Sequence, residues 1–319
     1  MKQITEVLKN VKSIAISGHV RPDGDCIGAC MGLYLYLNKT VPEIVTRIFL
    51  EQPAERFSCI SHIEKIEDAT ACKEQFDMFI ALDCSPDRLG AAETIYEHAG
   101  QKVNIDHHIS NEGISDINEI RPNVSSTCEL IYELLDEKML DEDIAKALYI
   151  GMISDTGVFQ YSNTSSRTMQ IAASLMQYPF DFSKLIDETF YEKTYVQNQI
   201  LGRALLESIL FMDGKCIVGT VDKKTMDFYQ IVPSDLEGIV SQLRYTKGVE
   251  CAIFLYEADF QSYKVSMRSN GKINVSTIAQ YFGGGGHIRA AGCTMNGTVY
   301  DVINNISQQI AKQIENEKV

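Results

Sequence analysis

Apolar and polar positions along the first half of the chain predict a repeated unit of strand, loop and helix. Short apolar runs predict strands at 13–17, 43–50, 77–82 and 102–105. Helical spacing predicts helices at 4–11, 26–37, 125–138 and 141–153, and a further helix that Thr164 or Ser165 would cap and Pro179 would end. Strands that alternate with helices favour an α/β fold, with a mostly parallel sheet and helices on both faces.

The pattern changes in the second half of the chain. Residues 183–207 have helical spacing without a strong apolar stripe, which favours a helical connector. Beyond it, strands are predicted at 208–212, 216–221, 249–257 and 262–269, and helices at 234–243 and 300–316. We therefore predict an α/β domain at 1–185, the connector at 186–207 and a smaller α+β domain at 208–319.

The composition is that of a folded protein with an acidic surface. The 319 residues are 45% hydrophobic and 23% charged, with a formal net charge of −14. No apolar run approaches the ~20 residues of a membrane helix, and the first segment lacks the apolar centre of a signal peptide. Nine cysteines without a CxxC pair favour reduced thiols and a cytoplasmic location. The acidic balance disfavours long nucleic acid as a partner, although a small phosphorylated ligand is compatible with it.

Side chains of metal-ligand type follow several of the predicted elements. They are His19, Asp23 and Asp25 after the first strand, Asp83 after the third, Asp106, His107 and His108 after the fourth, and Asp155 after the apolar helix at 141–153. The carboxyl ends of parallel strands meet at one edge of a sheet. The residues that follow the strands are therefore expected to lie together.

Several carboxylates at one sheet edge would repel one another unless cations neutralised them. Two divalent ions bridged by one Asp would remove that repulsion. Ions ~3.5–4 Å apart can share a water molecule, lower its pKa and stabilise both the attacking and the leaving oxygen of a phosphoryl transfer. Mixed Asp and His ligation suits Mn²⁺, with Mg²⁺ or Co²⁺ as alternatives, because Mg²⁺ tolerates fewer nitrogen ligands.

Each of these residues also has an ordinary structural explanation. Asp83 could cap a helix, Asp155 could cap a turn, and residues 22–25 could form a plain turn. His19 could be a structural histidine. The hypothesis of a metal site therefore depends on the coincidence of all the groups and not on any one of them.

A second group of candidate residues lies near the end of the chain. Four glycines at 283–286 precede His287, and an alternating strand ends at Arg268. Glycine lets backbone N–H groups approach an anion closely, and an arginine can bind a phosphate through two hydrogen bonds. The candidates for substrate binding are Arg268, Ser269, Gly284, Gly285, Gly286, His287 and Arg289. A flexible loop with a surface arginine is the alternative.

Together these motifs resemble those of the DHH phosphoesterases that carry a C-terminal DHHA1 domain. The matching residues, in the order of the family and over nearly the whole chain, are His19, Asp23-Gly24-Asp25, Asp83, Asp106-His107-His108, Asp155-Thr156-Gly157 and the glycine run with His287. Within the family, the chain resembles the NrnA type. Those enzymes degrade very short RNA (nanoRNA) and dephosphorylate 3′-phosphoadenosine 5′-phosphate (pAp).

The resemblance implies a role for each of these residues. One metal ion would be held by His19, Asp23 and Asp83, and a second by Asp25, Asp83, His107 and Asp155, so that Asp83 would bridge them. Asp106 would orient a histidine, and His108 would face the scissile phosphate as an electrostatic stabiliser or proton donor. Arg268, the glycine run and His287 would hold another phosphate or the base.

We therefore expect a cytoplasmic Mn²⁺-dependent phosphoric ester hydrolase that acts on short single-stranded RNA or small nucleotides in a cleft between two domains. It would bind neither long nucleic acid nor a membrane. The alternatives are a phosphodiesterase for cyclic or linear dinucleotides (c-di-AMP, pApA), an inorganic pyrophosphatase and a catalytically silent nucleotide-binding regulator. The sequence leaves open whether the chain forms a homodimer.

Overall fold

Apolar strands of the first half of the chain assemble into one six-stranded sheet. A computed structural model describes residues 3–316, which divide into two compact units between Glu192 and Lys193. The strands of the first unit are β1 Ser13–Ser17, β2 Val45–Phe49, β3 Ile66–Glu67, β4 Met78–Leu82, β5 Gln101–Asp106 and β6 Ile117–Ile120. Its helices are α1 Gly24–Thr40, α2 Glu93–His98, α3 Thr127–Leu134, α4 Glu142–Thr156, α5 Ser166–Leu175 and α6 Phe182–Ile186, followed by a π-helical turn at Asp187–Tyr191.

The order of these strands places a switch in direction at the centre of the sheet. The order is β3-β2-β1-β4-β5-β6, and every neighbouring pair is parallel. The chain builds outward from β1 to one side through β2 and β3, and then crosses to β4 on the other side. Ligand sites in open α/β sheets form outside the carboxyl ends of the strands at such a switch point. The ends of β1 and β4 are therefore where a site is expected.

Alternating side chains of the strands bury both faces of this sheet. Ile14 and Ile16 of β1 belong to a core shared with α1, α3 and α4. Ala15 of β1 and Phe79 of β4 face the opposite way, into a smaller core with α2. Helices on both faces of a parallel sheet confirm the α/β fold predicted from the sequence.

Close packing of α1 against α4 fixes the loop between β1 and α1 that carries candidate ligands. A Cβ atom on Gly28 of α1 would lie 2.5 Å from the carbonyl oxygen of Ala147 and 3.0 Å from the backbone nitrogen of Gly151, both in α4. Contact at this distance with backbone atoms requires one of the helices to shift. Glycine at position 28 therefore sets the distance between the two helices.

Replacement of Gly28 by alanine should destabilise the protein by about 1–3 kcal/mol, because the added methyl group overpacks the contact between α1 and α4. Gly202 is a matched control, since no atom lies within 4 Å of a Cβ built there. Gly202→Ala should leave stability unchanged or raise it by up to ~1 kcal/mol through helix propensity. Chemical denaturation measures both values, and equal effects of the two substitutions would contradict the packing argument.

The second unit contains a mixed sheet covered by helices on both faces. Its strands are β7 Ile209–Phe211, β8 Cys216–Val221, β9 Cys251–Asp259, β10 Ser262–Ser269, β11 Gly285–His287 and β12 Ala290–Asn296. Its helices are α7 Tyr195–Leu206, α8 Lys223–Tyr229, α9 Ile239–Arg244, α10 Val275–Tyr281 and α11 Val299–Asn316. The order is β11-β12-β10-β9-β8-β7, in which only β8 and β9 pair in parallel. Ile253 faces a core with α10 and α11, whereas Ala252 and Phe254 face α7, α8 and α9.

Several elements differ from the sequence prediction. The helix predicted at 4–11 is only a 3₁₀ turn at Ile4–Val7, and Asn10 adopts a positive φ of 66° that ends regular structure there. Strands β3, β6, β11 and β12 and helices α2 and α8 were not predicted. The connector predicted at 186–207 falls across the division between the two units, because Ile200 and Ala204 of α7 pack into the second unit. Within residues 3–316, no helix has the length and apolar character to cross a bilayer.

Candidate functional site

His19 and Asp23 lie in the loop that connects β1 to α1. Asp23 is the N-cap of α1, and its Oδ1 accepts two hydrogen bonds of 3.1 Å from backbone N–H groups in the first turn of the helix. His19 is 6% exposed, and its Nδ1 lies 2.9 Å from a neighbouring backbone carbonyl. Its Nε2 lies 3.7 Å from Asp23 Oδ1 and 3.5 Å from Asp83 Oδ2. The ring of His19 therefore directs Nε2 toward two carboxylates.

Asp25 is fully buried in the first turn of α1 and points at the N-terminus of α3. Its Oδ2 accepts a hydrogen bond of 2.6 Å from the N–H of Thr127, and its Oδ1 accepts one of 2.9 Å from the N–H of Cys128. A helix N-terminus stabilises negative charge. Even so, burial and the carboxylate of Asp155 raise the pKa of Asp25 to about 6. The orientation of this carboxylate is thus fixed, but its charge is costly.

Asp83 lies at the centre of the cluster, directly after β4. Its φ of 59° is left-handed, which is uncommon outside glycine but is adopted by Asp more readily than by most residues. Its Oδ2 lies 3.5 Å from His19 Nε2. Its Oδ1 lies 3.5 Å from His107 Nε2 and accepts a hydrogen bond of 2.9 Å from Thr127 Oγ1. The two oxygens of one buried carboxylate therefore face two different histidines.

His107 faces three carboxylates with one ring nitrogen. Its Nε2 lies 3.0 Å from Asp155 Oδ2, 3.5 Å from Asp83 Oδ1 and 3.8 Å from Asp25 Oδ2. This buried nitrogen makes no hydrogen bond of suitable geometry with any residue that the structure describes. A ring nitrogen that faces carboxylate oxygens in this way is placed as a metal ligand would be.

Asp106 holds His108 in one orientation. The fully buried carboxylate accepts hydrogen bonds at Oδ1 from the N–H groups of His107 and His108, at 2.7 and 3.1 Å, and from His108 Nδ1, at 2.7 Å. Its Oδ2 accepts a hydrogen bond of 2.6 Å from Asn111 Nδ2. Burial acts to raise the pKa of Asp106, but the hydrogen bonds from His108 and Asn111 outweigh it and lower the pKa below its usual value. Because a carboxylate accepts, Nδ1 of His108 carries its proton, and Nε2 is directed away from Asp106.

The cluster concentrates more negative charge than its own cations can neutralise. Burial, together with the charges of Asp25, Asp23 and Asp155, raises the pKa of Asp83 well above its usual range. Burial acts to lower the pKa of His107, but the carboxylates of Asp155, Asp25 and Asp83 outweigh burial and raise that pKa to about 10. A site that stabilises a proton so strongly among carboxylates would also stabilise a divalent cation.

The donor atoms are suited to divalent metal ions. Three sets have ligand atoms that lie within 4.8 Å of one another, namely His19 with Cys26 and Asp83, Asp83 with His107 and His108, and Asp25 with His107 and Asp155. Carboxylate oxygens and neutral imidazole nitrogens are ligands for such ions. Nε2 of His107, which makes no hydrogen bond with the described residues, and the carboxylates around it can therefore serve as ligands of a divalent ion. The residues present fit the metal site predicted from the sequence.

Binding of Mn²⁺ should release protons, and the affinity should rise with pH. Ligands must be deprotonated to bind a metal, and the raised pKa of His107, about 10, means that the ion-free protein holds a proton there at neutral pH. Each proton displaced predicts an increase of up to about tenfold in affinity per pH unit. Calorimetric titration in buffers of different ionisation enthalpy measures the release. An affinity that stays constant between about pH 6 and about pH 8 would exclude His107 as a ligand.

The structure shows which of the candidate aspartates are helix caps or turn residues. Asp83 caps no helix, because the 3₁₀ turn after it begins at Pro86 with Ser85 as its N-cap. Asp23 does cap α1, but the cap occupies only its Oδ1. Asp155 lies inside the last turn of α4, which extends to Thr156 and does not stop before it. All of the predicted ligands are brought together at one edge of the sheet, as the strand pattern indicated.

Several residues that organise this site were not identified from the sequence. Thr127 and Cys128 hold Asp25 and Asp83 from the N-terminus of α3. Asn104 donates hydrogen bonds of 3.1 and 2.8 Å to the carbonyl oxygens of Ala81 and Cys84, on both sides of Asp83. The sequence did predict a helix that begins at 125, close to the start of α3, but no local signal links its N-terminus to Asp25.

Candidate substrate-binding residues of the second unit lie together at one end of its sheet. Arg268 pairs with Ala290 across β10 and β12, and the N–H of Ser269 donates a hydrogen bond of 2.9 Å to the carbonyl oxygen of Arg289. His287 and Arg289 are exposed on the turn between β11 and β12. Ser269 is buried, and its Oγ accepts a hydrogen bond of 3.0 Å from the next backbone turn. Two arginines and a histidine are thus grouped on an otherwise acidic protein.

The glycine run is not the open loop that its sequence suggested. Residues 285–287 form strand β11, which pairs with β12 at the edge of the sheet. A Cβ on Gly284 would lie 2.2 Å from the carbonyl oxygen of Gly292, so close backbone packing requires glycine there. Gly286 has a φ of 138°, which side-chain-bearing residues rarely adopt. These glycines therefore have a structural reason that is independent of any bound anion.

Two protein-family models match the chain, one within each of its two units. The family model "DHH family, N-terminal domain" matches residues 13–152, and the model "DHHA1 domain" matches residues 213–316. The first match spans β1 to α4 and includes every predicted metal ligand except Asp155. The second spans β8 to α11 and includes all of the candidate substrate-binding residues.

Full-length relatives and a solved structure extend this agreement over nearly the whole chain. The bifunctional oligoribonuclease and PAP phosphatase NrnA of Thermus thermophilus is 28% identical over 94% of this chain and 90% of its own length. The protein of the same name from Bacillus subtilis is 27% identical over 91% and 93%. A crystal structure of an exopolyphosphatase-related protein from Bacteroides fragilis has a TM-score of 0.89 at 24% identity, over 97% of this chain and 94% of its own. The chain therefore contains a DHH family N-terminal domain and a DHHA1 domain, which confirms the resemblance drawn from its motifs.

Proposed function

We propose that the protein is a Mn²⁺-dependent phosphoesterase that hydrolyses short oligoribonucleotides and the 3′-phosphate of pAp. The observation that carries the proposal is the geometry of Asp83, whose two oxygens each lie 3.5 Å from Nε2 of a different histidine, His19 and His107. One carboxylate shared by two histidine–carboxylate groups is what a centre with two bridged ions requires. The substrates are those named for the similar proteins of Thermus thermophilus and Bacillus subtilis.

Each metal position has its own set of candidate ligands. His19, Asp23 and Asp83 would hold one ion, and the second would be held by Asp25, Asp83, His107 and Asp155. When bound, such ions lower the pKa of a coordinated water molecule and neutralise charge on the phosphoryl group. Mn²⁺ is the choice that mixed nitrogen and oxygen donors favour. The residues of the chain contribute by fixing these donors, as the backbone N–H groups of α3 do for Asp25.

His108 would act on the phosphate directly. Its ring is 26% exposed and its Nδ1–H donates to Asp106, so Nε2 is the ring nitrogen that points away from Asp106. When Nε2 is protonated, it can donate a hydrogen bond to a phosphoryl oxygen or a proton to the leaving sugar oxygen. The buried carboxylate of Asp106 stabilises the charged ring during that step. Asp106 is thus a positioning residue for His108.

The second unit would hold the part of the substrate that does not react. Arg268, His287 and Arg289 lie at one end of its sheet and can contact a second phosphate or a base. Both pAp and RNA of two or more nucleotides carry such a second phosphate. Tight binding of a few phosphates by a local group of cations is compatible with the net charge of −14, which disfavours long strands.

Replacement of Arg268 by alanine should raise KM for pAp and for short RNA by about tenfold to a hundredfold, the value of a charged hydrogen bond, with a smaller effect on kcat. Arg244, which stacks on Tyr245 in the same unit, offers a control substitution to alanine that should leave KM unchanged. Steady-state kinetics with Mn²⁺ separates the two parameters. An unchanged KM in Arg268→Ala would remove this residue from the site.

A single substrate panel with Mn²⁺ tests the proposed function. It contains pAp, 5′-phosphorylated RNA of about two to five nucleotides, cyclic di-AMP, linear pApA and pyrophosphate. Hydrolysis of pAp and of the short RNAs supports the proposal. Turnover confined to the cyclic dinucleotide would favour the phosphodiesterase alternative, and turnover of pyrophosphate alone would overturn the assignment to nucleotides. Binding of nucleotides without turnover of any substrate would favour a silent regulator.

A further inference from the structure

A cavity of about 340 Å³ lies beside the metal-ligand cluster, within the first unit. It is formed at the carboxyl ends of β1, β2 and β3 and by the segment that follows β4. Its lining includes Ser17, His19, Phe49, Glu51, Ile66 and Leu89. His19 belongs both to this cavity and to the carboxylate–histidine cluster, so a ligand in the cavity would be next to a group bound at the cluster. The volume is within the range of small-molecule sites in proteins, about 300–1,000 Å³.

The cavity combines an apolar wall with acidic residues. Half-buried Val20 and Ile66 and exposed Ala91 supply apolar surface, and buried Phe49 and Leu89 lie in the same wall. Glu51, Glu67 and Asp68 supply carboxylates, and none of the described residues that line the cavity is Lys or Arg. Carboxylates repel a phosphate but accept hydrogen bonds from hydroxyl and amino groups. The lining therefore favours a neutral ligand with an apolar, flat part and several donors, which is the chemistry of a nucleoside.

Among the three carboxylates, Glu51 is the one best placed to bind a ligand. Glu67 forms an ion pair with Arg47, and Asp68 accepts a hydrogen bond of 2.8 Å from Thr70 N–H at the start of a 3₁₀ turn. Glu51 Oε2 accepts a hydrogen bond of 2.6 Å from the N–H of Arg21. A carboxylate has about four acceptor positions, so most of the capacity of Glu51 is left for a ligand.

The position of Glu51 in the fold supports the same conclusion. It follows the end of β2 by two residues, in a sheet of order β3-β2-β1-β4-β5-β6. In dinucleotide-binding sheets of this strand order, an acidic residue in that region accepts hydrogen bonds from ribose hydroxyls. The hydroxyl of Ser17, which is 1% exposed, adds a second polar group, since its hydrogen bond to the Gly18 carbonyl is 3.5 Å long and weak.

We propose that this cavity is the subsite for the nucleoside bonded to the scissile phosphate, and that Glu51 accepts a hydrogen bond from its ribose 2′-hydroxyl. The base lies against the apolar wall at Ile66 and Ala91, and the phosphate lies at the cluster beyond His19. The placement of the phosphate rests on the proposed function, whereas binding of a nucleoside does not. The subsite makes the enzyme select ribose over deoxyribose at this position of the substrate.

Two measurements on the full chain test the subsite, and Glu51→Ala is the main variant. The first compares kcat/KM for pAp and for its 2′-deoxy analogue with Mn²⁺. The second measures binding of adenosine and 2′-deoxyadenosine by calorimetry, which requires no catalysis. The wild-type protein should prefer the ribose form by about tenfold, the value of one hydrogen bond to a charged group, and Glu51→Ala should reduce that preference to near unity.

Two further variants separate the subsite from effects on folding. Glu43 is exposed just before β2, at the opposite edge of the sheet, so Glu43→Ala makes the same change of charge and should keep the ribose preference. Ala91 is exposed and lines the cavity, so Ala91→Phe fills the cavity without removing a polar group. It should weaken adenosine binding at least about tenfold, with unchanged thermal unfolding and Mn²⁺ binding.

The outcomes distinguish failure of the subsite from failure of the proposed function. A ribose preference that persists in Glu51→Ala, or adenosine binding that is unaffected by Ala91→Phe, overturns the subsite while hydrolysis of pAp still supports the function. If the wild-type protein hydrolyses neither pAp nor short RNA, the proposed function fails and calorimetry alone decides the subsite. Loss of adenosine binding in Ala91→Phe would then still support it, and absence of adenosine binding to the wild-type protein would overturn it.

Discussion

Replacement of Asp83 by alanine should lower kcat for every substrate of this enzyme by at least a factor on the order of 10³. Asp83 Oδ1 and Oδ2 each lie 3.5 Å from a different histidine, so the substitution removes a ligand from both proposed metal positions at once. Asp25, which also faces His107, cannot move into its place, because it is held by the N–H groups of Thr127 and Cys128. Initial rates at saturating substrate and Mn²⁺ measure the loss.

The same substitution should not destabilise the ion-free protein. Burial and the neighbouring carboxylates raise the pKa of Asp83 well above its usual range, which means that its charged form is unfavourable in the fold. Relief of this charge opposes the cost of alanine at a left-handed φ of 59°, so thermal unfolding without metal should give a Tm for Asp83→Ala close to that of the wild-type protein, and lost activity is then not lost folding. Asp87, an exposed residue of the same loop, provides the control substitution to alanine. Near-normal turnover by Asp83→Ala would disprove a shared ligand.

Replacement of His108 by alanine should lower kcat by about 10²–10⁴-fold while Mn²⁺ binding is retained. Its Nδ1 is 2.7 Å from Asp106, so the proposed contact with the substrate is through Nε2 and is separate from ion binding. Exposed His98 is the matched control, and His98→Ala should change neither property. Kinetics together with metal analysis of the purified variant separates the two roles.

The pH dependence of kcat adds a second readout for His108. If its ring donates a proton, one limb of the pH profile of kcat should disappear in His108→Ala. Asp106→Asn should also lower kcat, because the amide has one acceptor oxygen, whereas the carboxylate of Asp106 accepts from both His108 and Asn111. Loss of Mn²⁺ binding in His108→Ala would instead make this residue a ligand and contradict its proposed role.

The sequence was sufficient to locate the candidate metal ligands because they follow directly from strand ends. His19, Asp83 and His107 each come within two residues of the end of β1, β4 or β5. The carboxyl ends of parallel strands share one edge, so the clustering of these residues follows from the order of elements alone. The DHH and DHHA1 motifs then added the assignment of residues to two metal positions, which no local pattern contains.

Contacts between distant segments could not be predicted in the same way. Thr127 donates to Asp83 from 44 positions away, and its backbone N–H binds Asp25 from 102 positions away. Such contacts depend on how α3 packs on the sheet. That packing cannot be inferred from the spacing of residues in the sequence. The role of Glu51 is a similar case, since it depends on the strand order that places the end of β2 beside β1.

Short or irregular elements could not be predicted from the pattern of apolar residues either. Strand β3 has two residues and β6 has four, too few for a periodic pattern to be recognised. The glycine run looked like a flexible loop because glycine is disfavoured in strands. The run instead includes β11, where close contact between Gly284 and Gly292 excludes a side chain. Packing in the folded unit therefore overrides the local preference of these residues.

Anomalous scattering from crystals of the protein grown with Mn²⁺ tests directly whether Asp83 bridges two metal ions. We expect two manganese peaks ~3.5–4 Å apart, one on each side of the Asp83 carboxylate. One should be coordinated by His19 and Asp23, and the other by Asp25, His107 and Asp155. A single peak, or two peaks that leave Asp83 uncoordinated, would contradict a two-ion centre bridged by this residue.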